Sequence, residues 1–179
     1  GDKSSRGDIV ITRLGIESGA LYPVAADLRK ELSSNGSATL LIDLVPDVNT
    51  EAVVKRLASA NRKDSMSNRL RKAARLDKLK VALVNEVTRG SPPGDPSELA
   101  ALLKALPLTV TGTAPMDDAI STAGGVSWDA LDEHLMLKAV PNTYCVGEMV
   151  SWDAPTGGYL LTACMAMGKA AGEAAAKAT

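Results

Sequence analysis

Residues 146–172 read VGEMVSWDAPTGGYLLTACMAMGKAAG, and the reading given to this stretch decides the fold. It runs from the end of a strand through a polar turn to a glycine pair, Gly157 and Gly158, and then into an Ala-rich segment of helical period. Small residues at Ala163, Ala166, Ala170 and Ala171 would let that helix approach a sheet closely, as tightly wound nucleotide-binding folds require. Without side chains at the glycine pair, the first N–H groups of the helix and its dipole would face a phosphate or a flat ring. Glu148 follows Gly147 at a strand end, where a carboxylate commonly accepts hydrogen bonds from sugar-like hydroxyls. Asp153 and Thr156 could cap the helix or touch the ligand. The same residues also read as a plain tight turn with a satisfied carboxylate, and spacing alone does not choose between the two. The G-x-G-x-x-G fingerprint that normally opens a dinucleotide-binding fold is absent from these 179 residues.

Working back from this stretch, NTYCVGE is expected to be a strand ending in Gly147 and Glu148. HLMLKAV and DAISTAGGVSW are expected to be short strands around the pair Gly124 and Gly125. LPLTVTG (106–112), SATLLIDLVP (37–46) and DIVITRL (8–14) are also predicted strands. Leu21, Val24, Ala25, Leu28 and Leu32 recur at helical spacing, with Gly36 as the stop. Everything from Asn49 or Thr50, either of which could be an N-cap, to Leu106 reads helical. SNRLRKAARLDKLKVALVNEV is one bent helix or two shorter ones. SPPGDP breaks the run, and a further helix starts with Asp95 as N-cap and Pro96 in its first turn. A helical module thus interrupts strands that belong together, the pattern of an insertion.

Hydrophobic residues make up 45% and charged residues 23%, an ordinary soluble composition, so a packed core is within reach. With no Phe and only 3% aromatics, that core must be built from Leu, Val, Ile, Ala and Met. No apolar run reaches the roughly 20 residues that span a bilayer, and GDKSSRGD is no signal peptide. The chain lacks an initiator Met, so a processed or truncated form is expected, in a cytoplasmic compartment. Cys145 and Cys164 match no redox or zinc spacing, which predicts reduced, buried thiols and no metal site. His134 has no partner motif and reads as structural. No catalytic residue is assigned.

Residues 55–80 hold ten Lys or Arg against two Asp, a balance of +8, so with a net charge of −1 the remainder carries −9. The plainest reading is a solvated helical face that turns Leu70, Ala73, Ala74 and Leu79 inward. A rival reading is a non-catalytic interaction module that uses these basic helices on a protein or nucleic acid. Nucleic acid is disfavoured, because 49–106 contains no aromatic residue to stack on bases.

AISTAGGVSWDAL followed by VPNTYCVGEMVSWDAPTGGYLLTACMAMGKAAG closely resembles the C-terminal end of bacterial NAD(P)/FAD-dependent oxidoreductases of the BaiN/RdsA-like type. In that family GGV, a GE at a strand end and a PTGGY turn recur in this order, and GDIVITRLGIESGALYPVAADLR is similar to a family segment near the start. The form APTGGYLLTAC is closer to one branch than to the branch reading GGYN followed by Gln, which leaves the substrate open, as is the choice of NADH or NADPH. The resemblance implies an α+β or α/β chain. A β-barrel-like insert (1–48 and 107–116) would carry a helical module (49–106), and 117–179 would be C-terminal strands and helix of an FAD-binding, Rossmann-type domain. It implies Gly147 and Glu148 near the FAD ribityl and pyrophosphate. Asp153, Thr156, Gly157, Gly158 and Tyr159 would line the isoalloxazine, and Gly124, Gly125 and Val126 would pass its edge. The ADP-binding half would then lie outside this chain, which alone would not retain FAD and would pair with that N-terminal half or with a copy of itself.

Overall fold

The computed structural model describes residues 3–61, 63–119, 122–154 and 157–178. They form two compact units, 31–112 and a second made of 1–30 with 113–179.

In the unit 31–112, β3 (Ala38–Ile42) pairs antiparallel with β4 (Leu106–Val110), Leu40 opposite Leu108 and Ile42 opposite Leu106. Between them run α2 (Thr50–Ala58), α3 (Met66–Lys72), α4 (Lys78–Val87) and α5 (Pro96–Lys104). Each begins where a side-chain oxygen takes an orphan backbone N–H, a contact worth about 1 kcal/mol. Asn49 accepts from Ala52 at 2.8 Å and Asp77 from Lys80 at 2.8 Å. Ser65 accepts from Asn68 at 3.3 Å, and Asp95 from Ser97 and Glu98 at 2.9 and 3.0 Å. Pro96 sits in the first turn, as expected, where a missing N–H costs nothing.

The segment open to one bent helix or two is two. Arg75 takes a left-handed φ of 57°, and Leu76 N–H closes back on Leu70 O at 3.2 Å. That break resets the buried face. Leu70 and Ala74 are buried as expected, but Leu79 is half exposed, and α4 turns Val81 and Val84 inward instead. The core is aliphatic: Val53, Leu57, Leu70, Val84, Leu99, Leu103 and Leu106 are all fully buried. Each such side chain contributes about 1.5–3 kcal/mol.

Two lysines tie the loop after β3 to this core. Lys80 Nζ donates to Leu44 O at 2.9 Å. Lys104 Nζ donates to Val45 O and Val48 O at 3.3 and 3.0 Å and pairs with Asp43 at 2.5 Å. Part of the basic character therefore serves as backbone clamps rather than as a solvated face.

In the unit formed by 1–30 and 113–179, the first predicted strand is a hairpin. β1 (Val10–Thr12) turns at Arg13–Leu14 and pairs with β2 (Gly15–Glu17), after which a Ser18-capped 3-10 turn leads into α1 (Tyr22–Asn35). No residue of α1 is fully buried, and Gly36 follows it at φ 73°, the stop its position predicted. Among the described residues the strands make two separate two-stranded sheets, and no closed barrel forms. Each strand pairs along one edge only, so the expected barrel-like insert is corrected to two small antiparallel sheets.

The expected strands of the last third are corrected too. Of DAISTAGGVSW, Ile120 and Ser121 lie outside the described residues; its remainder, HLMLKAV and NTYCVGE take part in isolated bridges, Val126 with Val150, Leu131 with Leu137 and Met136 with Tyr144, and Gly147–Met149 is a 3-10 turn. Left-handed φ values at Leu135 (66°) and Asn142 (64°) interrupt the extended runs and fold them into a knot of turns. Its centre is apolar: Leu131, Cys145 and Val150 are buried, with Val126, Leu135 and Leu137 packed on them. Asp132 caps this knot, its Oδ1 accepting from the His134 and Met136 N–H groups at 2.9 Å each. The Met136 N–H, then the His134 N–H and the His134 and Lys138 charges, hold its carboxyl below the ordinary value. The chain ends in α6 (Tyr159–Ala178), which packs on the Gly147–Met149 turn. No helix among the described residues is long and apolar enough to cross a membrane.

Candidate functional site

The glycine pair before Val126 lies against the turn that carries Glu148. Val126 N–H donates to Met149 O at 2.8 Å, and Ser151 N–H returns the bond to Val126 O at 2.8 Å, giving one parallel rung between the two segments. Gly125 is required here. A Cβ on it would stand 2.4 Å from Met149 O and 3.0 Å from Met149 C, and its φ of 132° is one that L side chains rarely adopt. Trp128 fastens the same junction from the side, Nε1–H donating to Ser151 O at 2.9 Å.

Glu148 is directed back at the segment before the glycine pair, Oε1 accepting the Thr122 N–H at 2.9 Å. Gly147 joins this turn to the last helix, since a Cβ there would touch Cys164 Sγ at 3.4 Å. Cys164 is half buried and Cys145 fully buried, and both are free thiols. The expectation of two buried thiols is therefore met at Cys145 and relaxed at Cys164. His134 is exposed, with Nε2 3.7 Å from Glu133.

α6 opens at Gly158, whose carbonyl accepts from the Thr162 N–H at 3.1 Å and the Thr162 hydroxyl at 3.0 Å. Gly158 has φ 84°, and among the described residues, its chain neighbours aside, nothing lies within 4 Å of where its Cβ would be, so bare backbone is exposed at the positive end of a twenty-residue helix. Tyr159 is exposed, and its ring passes 3.5 Å from the position of a Cβ on Gly157. Asp153 is engaged by the Arg29 guanidinium of α1. Thr156 lies outside the described residues.

Gly125, Val126, Gly147 and Glu148 are thus one locally bonded group, connected to α6 through Cys164, and Asp153 is tied to α1. Three partners escaped the sequence reading: Arg29, Trp128 and the Thr122 amide. Trp128 had a signal, being one of two Trp in the chain and two residues past GGV. Arg29 had none, because 124 residues separate it from Asp153. Against known families, residues 1–121 match one described as HI0933-like protein barrel and H2TH domain. That match covers the whole 31–112 unit and the β1–β2 hairpin, and it ends before Gly124.

Proposed function

The chain belongs to the HI0933-like family of FAD-dependent oxidoreductase-like flavoproteins, and on that premise we propose that it supplies the flavin and ribityl side of an FAD site in an NAD(P)H-using oxidoreductase of the BaiN/RdsA-like type. The ADP-binding half would come from sequence outside these 179 residues, so FAD would be held by the longer protein and not by this chain alone. The observation that carries the reading is the joining of three elements in the order the resemblance implies. The Gly124–Val126 segment is bonded to the Gly147–Glu148 turn, and that turn is seated on α6.

The residues present fit a flavin. At Gly124 and Gly158, among the described residues and apart from the chain neighbours, no atom lies within 4 Å of a Cβ position, which leaves backbone open to a flat ring. The start of α6 adds roughly half a positive charge, which favours negative charge on a reduced ring. Redox chemistry belongs to the flavin; the part assigned to this chain is to hold and orient it, with Gly147 and Glu148 toward the ribityl and pyrophosphate. The exposed Leu161 and Met165, one turn apart on α6, support an associated partner, since apolar residues grouped on one face mark contact surfaces. The N-terminal half of the same flavoprotein is the partner we assign, with self-association of this chain as the substitute when that half is missing.

Gly158→Val in the longer protein tests the reading. A branched side chain at a left-handed φ fills the open space, and FAD affinity should drop by about tenfold or more, equal to about 1.4 kcal/mol or more. Circular dichroism showing α6 intact together with normal flavin content would remove this turn from the site.

A further inference from the structure

α3 and α4 border an open surface cleft of about 480 Å³ lined by Asn68, Arg71, Lys72, Leu76, Asp77 and Lys78, of which Leu76 alone is buried. Small-molecule sites commonly measure about 300–1,000 Å³. Two of the lining charges are already spent. Lys72 pairs with Asp64 at 3.1 Å, and Asp77, the one acid in the lining, takes the Lys80 N–H as the cap of α4. Arg71 and Lys78 are exposed and, among the described residues, have no acidic partner. Leu76, 4% exposed, gives the cleft an apolar floor, and Asn68 adds an amide.

We propose that this cleft binds the phosphates of a nucleotide-sized anion. With Lys72 paired to Asp64, Arg71 and Lys78 are the two cations left at the shared concavity, and an anion between them relieves their mutual repulsion. The Arg71 guanidinium offers the planar fork that suits two phosphate oxygens, and Lys78 offers a point charge beside it, the N-terminus of α4 itself being already capped by Asp77. The other basic residues nearby serve differently: Lys80 holds Leu44 O, and Lys55 and Arg56 lie in the last turn of α2. A nucleic acid would ask for a track of cations with aromatic platforms, and no aromatic lies in 49–106. The site is independent of the flavin assignment.

The test is an NMR titration of this chain with pyrophosphate, with ADP and with a single-stranded oligonucleotide. Saturable shifts confined to 68–78 are expected with pyrophosphate and ADP. The double variant Arg71→Gln/Lys78→Gln should weaken both by about tenfold or more, the loss for two charge-assisted contacts. Lys55→Gln/Lys63→Gln removes the same charge outside the lining and should change affinity by less than about twofold. All four residues are exposed, so neither pair disturbs the core. Equal weakening by both pairs, a response to the oligonucleotide alone, or no saturation with either phosphate compound would each overturn the proposal.

Discussion

Gly125→Ala is expected to break the junction between the 124–128 and 147–151 segments. The new methyl would meet Met149 O at 2.4 Å and Val150 C at 3.1 Å. Both are backbone atoms, which cannot swing aside as a side-chain tip would. The φ of 132° adds strain of its own, about 1–3 kcal/mol for an L residue held in a rarely populated region. Relief requires separating the segments, and with them the Val126-to-Met149 and Ser151-to-Val126 hydrogen bonds, each worth about 1 kcal/mol net. Amide exchange reads the result directly. The Val126 and Ser151 N–H groups should lose their protection, and in the longer protein flavin content should fall with it. Unchanged exchange at both amides would mean that this close approach is not a feature of the molecule in solution.

Leu103→Ala acts on the other unit. Leu103 is fully buried in α5, which packs on α2 and β4, and its carbonyl also accepts the Leu44 N–H at 2.9 Å. Truncation removes buried methyls and leaves a hole that the surrounding Leu and Val side chains close only in part, at a cost of about 2–5 kcal/mol. The core of this unit holds no large aromatic to slide into the space, since residues 31–112 contain no Phe, Tyr or Trp. Chemical denaturation of the chain should show the midpoint for this unit falling sharply. A change below about 1 kcal/mol, the level of a surface substitution, would contradict the packing described for α5.

What could be read in advance followed the range of the interactions. The cap Asp95, a first cap narrowed to Asn49 or Thr50 that proves to be Asn49, the stop at Gly36 and the breaker at 91–96 depend on near neighbours, and such neighbours are visible in a linear chain. The inward turn of Leu79 failed because Arg75 adopts a left-handed φ, for which an arginine gives no warning. The predicted strands around Leu135 and Asn142 failed for the same reason. Short apolar runs suggested extended backbone, and two local reversals made it a knot of turns. At the candidate site the glycines were legible because bare backbone has one residue type to mark it. The partners that orient the site, Arg29 for Asp153 and the Thr122 amide for Glu148, are set by the tertiary fold, and composition carries no trace of them.

The central claim is that this chain supplies one side of an FAD site whose ADP-binding side lies elsewhere, and visible absorbance measures it most directly. Spectra are recorded for the purified 179-residue chain and for the longer protein proposed to contain it. The account predicts a colourless chain and a longer protein with a flavin band at stoichiometric level. A flavin band at full stoichiometry on the isolated chain, or a longer protein that stays colourless after saturation with FAD, would contradict it.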